Sequence, residues 1–117
     1  MQTSGIHHVS LNVRDVDAAR AFYVDLLGLE PLERPDLGFP GLWLKAGAQE
    51  VHLLGLDTGT PLKEQHFAFA VDDLAAVRAE LGARGLKVSE PMPIEGVCLQ
   101  AFTRDPDGNL LEFNQRL

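Results

Sequence analysis

Four side chains in this 117-residue sequence stand at strand positions where an ordinary core or surface residue would serve as well. They are His8 in "HHVSLNV", His52 in "QEVHLLG", His66 in "QHFAFAV" and Glu112 in "NLLEFNQ". Three imidazoles and one carboxylate, with no thiolate among them, make a donor set for a divalent transition metal. Nickel, cobalt, iron, manganese and zinc all accept such nitrogen and oxygen ligands. An ion held there would act as a Lewis acid, and the carboxylate could also accept a proton.

The elements that must position these donors are written twice. "HVSLNVRDVDAARAFYVDLLGLEPL", from His8, aligns with "HFAFAVDDLAAVRAELGARGLKVSE", from His66. His8 falls on His66, Val13 on Val71, Asp15 on Asp73, Arg20 on Arg78 and Ala21 on Ala79; with a one-residue slip Gly28 falls on Gly85. Such self-similarity marks a doubled supersecondary unit.

Each copy predicts the same succession. Val9, Leu11 and Val13 alternate with His8, Ser10 and Asn12, as in a half-buried strand. Asp15 then reads as an N-cap, with Val16, Ala19, Phe22, Tyr23, Leu26 and Leu27 at helical spacing and Gly28 as the stop. In the second copy Asp73 caps, Leu74, Val77 and Leu81 form the stripe, and Gly85 ends it. Short strand-like runs follow: "EPLERP", "GLWLKA" and "QEVHLLG" in the first copy, "LKVSEP", "VCLQAFTRD" and "NLLEFNQ" in the second. Gly47-Ala48 and the run from Asp105 to Asn109 supply turns. The expected fold is α+β: one domain, 1–117, of two tandem βαβββ units (about 5–57 and 63–117). Their mixed sheets pair around an open cleft, with helices on the outer faces.

The repeat puts the four donors at two pairs of equivalent positions, in the first and last strand of each copy. Glu112 shares its phase with Leu110 and Asn114, and His66 with Ala68 and Ala70, whose small side chains leave room above the sheet. Glu50, two residues before His52, has the same phase and would replace it if the register slipped. Strict alternation sends His7 to the opposite face, without a ligand role. Arg34 and Arg104 are candidates to pair with an anionic substrate group, although solvated surface positions are the commoner fate of arginine. "ERPDLGFPG", residues 33–41, reads as a loop or edge that could cover the cleft.

The bulk properties exclude other classes. A formal charge of −7 with dispersed arginines argues against a nucleic-acid surface. No apolar run approaches a membrane span, and "MQTSGIHH" has no signal-peptide layout, so a cytoplasmic protein is expected. The single cysteine, Cys98, has no partner for a disulfide or a Cys-based zinc site and reads as a small core hydrophobe.

"HHVSLNVRDVDAARAFYVDLLGL", "HFAFAVDDLAAVRAEL" and "FTRDPDGNLLEF" together resemble the vicinal oxygen chelate superfamily. That superfamily includes glyoxalase I, bleomycin- and fosfomycin-resistance proteins, extradiol dioxygenases and methylmalonyl-CoA epimerase. The resemblance implies paired βαβββ modules with one divalent metal in the cleft. Its first-strand ligand falls on His8, its second-module histidine on His66, its last-strand carboxylate on Glu112 and its glyoxalase-type fourth-strand ligand on His52. Glyoxalase I usually has a carboxylate at that last position, so here Glu112 would serve as both ligand and base. The resemblance also implies a homodimer with sites shared between subunits and a small-molecule substrate.

Three functions follow from the resemblance. The first is a glyoxalase-like lyase or isomerase working through a metal-stabilised enediolate, with Glu112 as the catalytic base. The second is an extradiol-type iron(II) dioxygenase using His8, His66 and Glu112. The third is a small-molecule binding or antibiotic-resistance protein without turnover, holding its ligand near Trp43 and Phe39.

Overall fold

The structure, a computed structural model, describes residues 1–117 and divides into two compact units, Met1–Thr60 and Pro61–Leu117. Each unit is a four-stranded mixed sheet with a helix between its first and second strands, so the βαβββ order occurs twice and the class is α+β.

In the first unit β1 (His8–Asn12) leads into a helix, followed by β2 (Glu30–Leu32), β3 (Gly41–Ala46) and β4 (Gln49–Leu54). The sheet order is β1-β4-β3-β2, with β1 parallel to β4 and the remaining pairs antiparallel. Leu42, Leu44, Val51 and Leu53 are buried on one face, as period-2 alternation requires. The opposite face carries His8, Ser10, Trp43, Glu50 and His52.

The helix begins as α1 (Val16–Arg20), where the Asp15 carboxylate accepts from the backbone N–H of Asp17 and Ala18. It then widens into a π-helical segment, Ala21–Leu26, in which the Leu27 N–H reaches back five residues to the Phe22 carbonyl. Periodicity predicted one uniform α-helix over this stretch. The wider turn instead buries the adjacent rings of Phe22 and Tyr23 together, 4.9 Å apart edge to face. Gly28, at φ 82°, ends the helix, and the Leu29 N–H bonds the Tyr23 carbonyl.

In the second unit the strands are β5 (His66–Ala70), β6 (Met92–Ile94), β7 (Cys98–Arg104) and β8 (Leu110–Arg116), in the sheet order β5-β8-β7-β6. Helix α2 (Leu74–Ala83) is capped by Asp73, buries Leu74 and Leu81, and is tied to β8 by the Leu74 N–H donating to Gln115. Ala101, Leu111 and Phe113 lie in the core, and Cys98 is buried as a small hydrophobe.

One strand departs from its expected place. "LKVSEP", residues 86–91, is not a strand; the edge strand is Met92–Ile94. The earlier segment still runs beside β7, joined by a backbone bond from the Ser89 N–H to the Phe102 carbonyl, and side chains add to it. The Ser89 hydroxyl accepts from the Phe102 N–H, and the Thr103 hydroxyl donates to the Lys87 carbonyl. Pro91 has no N–H to extend regular pairing there.

The turn from Asp105 to Asn109 sets the β7–β8 hairpin. The buried Asp105 carboxylate accepts from the backbone N–H of Asp107 and Asn109 and from the Asn109 amide. Gly108 supplies the positive φ of 88°. This knot fixes the register that puts Glu112 opposite Phe102 on one side and Ala68 on the other.

Candidate metal centre

In the second unit, parallel pairing of β5 with β8 brings His66 and Glu112 to the same sheet face. Nε2 of His66 lies 3.0 Å from Oε1 of Glu112. The other ring nitrogen, Nδ1, lies 2.8 Å from the Glu64 carbonyl. A carbonyl only accepts, so Nδ1 carries the hydrogen and Nε2 is left to face Glu112. Glu64 makes this contact from a left-handed backbone, φ 69°, the one non-glycine residue with positive φ.

Glu112 is 7% exposed, and both of its oxygens are engaged. Oε2 accepts from the Asn114 amide at 2.7 Å, while Oε1 faces His66. The Phe102 ring stands edge-on to His66 at 5.5 Å and walls that side. The Glu64 carbonyl, reinforced by Glu112, holds His66 above the ordinary imidazole value despite partial desolvation.

In the first unit the same parallel pairing, β1 with β4, sets His8 opposite Glu50 and Ser10 opposite His52. Three rings stack across the sheet: Trp43 on His52 at 4.4 Å, and His52 on His8 at 3.9 Å. His52 is 8% exposed, and its Nε2 lies 2.8 Å from Oε1 of Glu50. Glu50 is therefore the partner of His52 rather than its replacement. The hydrogen bond from His52 holds the Glu50 carboxyl below its usual range.

His7 does not behave as alternation predicts. β1 begins at His8; the His7 carbonyl still accepts from the Glu50 N–H, but the His7 side chain turns back along the strand end. Its Nδ1 lies 2.8 Å from Nδ1 of His8, and its ring stands edge-on to both His8 and His52. Desolvation and the adjacent imidazoles of His52 and His7 hold His8 below the ordinary imidazole value.

Sequence reasoning missed the two groups that orient the second-unit pair. Asn114 was legible in principle, being two residues from Glu112 on the same strand face. The Glu64 carbonyl was not, since nothing in the residue type announces a left-handed backbone. Within each unit the donors come in pairs, and no three or more His, Cys, Asp or Glu side chains converge as a ready-made metal cage. Arg104 shares the sheet face of the His66–Glu112 pair, across Leu110 from His66, and its guanidinium donates to the Gly108 carbonyl within its own hairpin.

A family model for the Glyoxalase/Bleomycin resistance protein/Dioxygenase superfamily matches residues 5–113. The chain belongs to this superfamily. Within it, the lactoylglutathione lyase of Haemophilus influenzae is 36% identical over 123 residues, covering 92% of this chain and 90% of that protein. The chloroplastic probable lactoylglutathione lyase of Arabidopsis thaliana is 32% identical over 93% of this chain, which spans only 35% of that protein's length. Among solved structures, a glyoxalase family protein of Bacillus anthracis matches with a TM-score of 0.90 at 29% identity, covering 100% of this chain and 98% of that one. TnmS3, an antibiotic binding protein from Streptomyces sp. CB03234, matches with a TM-score of 0.84 at 28% identity, covering 100% and 99%. A superfamily chain can thus resemble proteins named as lyases and a protein named as a binder, and its own site must decide.

The donor chemistry of this superfamily chain fits a divalent metal. Cis ligands at roughly 2.1 Å from a first-row ion stand about 3 Å from each other. The His66–Glu112 separation, 3.0 Å, has that spacing. The Nδ1–H of His66, held by a backbone carbonyl, is the support that metal-ligating imidazoles ordinarily have. No helix is long and apolar enough to cross a membrane.

Proposed function

We propose that this protein is a divalent-metal-dependent enzyme of the glyoxalase type, with His8, His52, His66 and Glu112 as metal ligands and Glu112 as the base. Each unit supplies two of the four donors. The observation that carries this reading is the His66–Glu112 pair, in which a tautomer-fixed imidazole and a buried carboxylate lie at ligand spacing. The similarity to proteins named lactoylglutathione lyase supports it. When bound, the metal would supply Lewis acidity toward the oxygens of an α-hydroxycarbonyl substrate.

The chain's own residues do the rest. Asn114 donates to Oε2 of Glu112 and so fixes the carboxylate plane. Oε1, with no amide donor, takes the carbon-bound proton from the hydroxyl-bearing carbon and returns it to the neighbouring carbon, while the hydroxyl proton passes to the former carbonyl oxygen, so that the first carbon becomes the carbonyl and the second the alcohol. The redox change is internal to the substrate and requires no external oxidant. Trp43 stacks on His52, limits its rotation and presents an apolar wall to the ligand. The protein acts as a cytoplasmic homodimer whose sites draw on both subunits.

The test is turnover by metal-reconstituted protein of the adduct of glutathione and 2-oxopropanal, followed as thioester formation. Metal-dependent turnover supports the reading, and its absence with every metal that binds contradicts it for this substrate class. A second reading, a binder without turnover, is supported by the likeness to TnmS3. It requires ligand binding that survives removal of the metal.

A further inference from the structure

The two units support their last-strand donors in complementary ways. In the first sheet, parallel pairing sets His8 opposite Glu50, Ser10 opposite His52 and Asn12 opposite Leu54. In the second it sets His66 opposite Leu110, Ala68 opposite Glu112 and Ala70 opposite Asn114. With His8 laid on His66, residue 52 corresponds to 112, residue 50 to 110 and residue 54 to 114. In the second unit the donor is a carboxylate, and Asn114, two positions after it, gives it a hydrogen bond. In the first unit the donor is an imidazole, and Glu50, two positions before it, is its hydrogen-bond partner. The places left over, Leu54 and Leu110, are apolar. Each donor thus has one polar neighbour on its own strand face, of the chemistry it needs: an N–H for a carboxylate, a carboxylate for an N–H.

The contact determines which nitrogen of His52 is free. Nε2 lies 2.8 Å from Oε1 of Glu50, with the His52 side chain 10% exposed and that of Glu50 29%. An ionised carboxylate only accepts, so Nε2 carries the hydrogen and Nδ1 keeps its lone pair. His66 is the reverse, since the Glu64 carbonyl takes its Nδ1–H and leaves Nε2. The His52 ring is also kept from turning, between Trp43 at 4.4 Å and His8 at 3.9 Å. Glu50 is itself anchored: its backbone N–H donates to the His7 carbonyl, and it is paired on both sides, with His8 and with Lys45.

We propose that Glu50 is a positioning residue that holds His52 through Nε2–H, so that Nδ1 is the nitrogen offered to a divalent cation. The proposal rests on the metal-dependent reading, from which it takes His52 as a ligand, and adds that His52 and His66 present opposite ring nitrogens. A carboxylate behind a ligating imidazole fixes its tautomer and raises its basicity.

Two substitutions and two readouts test it. Glu50→Leu removes the acceptor, and leucine already fills the corresponding place in the second sheet, at Leu110. Glu50→Gln keeps an acceptor oxygen without the charge. Calorimetry gives the affinity of each protein for nickel, cobalt and zinc. Long-range proton–nitrogen correlation spectra of metal-free protein at pH about 8 read the tautomer of each of the four histidines, with His52 assigned by its loss in His52→Ala. Wild-type protein is expected to show an Nε2–H ring at His52 and an Nδ1–H ring at His66. Glu50→Leu is expected to give a mixture of tautomers at His52 and to bind metal about 10–100-fold more weakly, with a smaller loss in Glu50→Gln. An Nδ1–H ring at His52 in the wild type overturns the proposal. So do equal losses in the two variants, which would make the Glu50 carboxylate itself a ligand. An unchanged or tighter affinity in Glu50→Leu, where the wild type binds metal, overturns it too. Those three results leave the metal reading standing, whereas a wild type that binds none of the metals overturns that reading and the role of Glu50 with it.

Discussion

Nε2 of His66 faces Oε1 of Glu112 at 3.0 Å across adjacent parallel strands, and each partner is fixed from behind. The Glu64 carbonyl holds Nδ1 of the imidazole, and the Asn114 amide holds Oε2 of the carboxylate. A nitrogen and an oxygen are thus presented side by side with their other atoms already committed. This is the preorganisation that a ligand or a base needs.

Glu112→Gln keeps the size of the side chain and removes its basicity. Turnover of the glutathione adduct is expected to fall by about 10²–10⁴-fold, the range for loss of a general base. Full turnover by the variant, measured at saturating substrate and metal, would show that the proton goes elsewhere.

Asn114→Leu removes the donor to Oε2 without touching a proposed ligand. Metal affinity is expected to drop about 10–100-fold, and the metal-free protein to lose about 1–3 kcal/mol because Oε2 of the buried carboxylate loses its donor. Calorimetric titration of wild type and variant gives the comparison. Equal affinities would make Asn114 a bystander.

His66 titrates above the ordinary imidazole value of 6.5, first because of the Glu64 carbonyl and then because of Glu112. In metal-free protein the stabilisation from charged His66 is fully present below the unfolded value and is lost as pH rises through the raised folded one. A metal needs the neutral ring. The midpoint rise caused by metal should therefore be greatest on the alkaline side and shrink as pH falls through the raised value, before 6.5 is reached. His8, held low by desolvation and by His52 and His7, stays neutral longer and does not set the loss. Thermal unfolding with and without nickel, from pH about 8 to about 5, measures this. A metal shift that is flat across the range counts against His66 as a ligand.

Asp105→Ala removes the acceptor for two backbone N–H groups and the Asn109 amide in a buried turn. The expected cost is about 2–4 kcal/mol in denaturant unfolding, from unsatisfied donors. A cost under about 0.5 kcal/mol, the size of a surface change, would mean that the hairpin holds its register by other contacts.

Much of this was legible because the repeat fixes phase. His8, His52, His66 and Glu112 fall on the expected faces, since Val51, Leu53, Leu111 and Phe113 commit the opposite faces to the core. Alternation fails at His7, at the strand end, where the carbonyl still meets the Glu50 N–H while the ring turns toward His8 and His52. It fails again at 86–91, where one backbone bond, Ser89 to Phe102, is joined by bonds from the Ser89 and Thr103 side chains instead of a regular ladder. The π-helical turn at Ala21–Leu26 leaves no mark on a stripe that a plain α-helix satisfies equally well. The Glu64 carbonyl depends on a left-handed backbone conformation that no spacing rule encodes.

The most direct test of the central claim is a thermal-shift titration of metal-stripped protein with nickel, cobalt, manganese, iron(II) and zinc, repeated on His66→Ala and Glu112→Ala. A ligand that binds only the folded state raises its midpoint, by about 2.7 kcal/mol of stabilisation at a hundredfold excess over Kd. The account predicts that at least one metal raises the wild-type midpoint and that neither variant responds. No shift with any metal, or equal shifts in wild type and both variants, would contradict it.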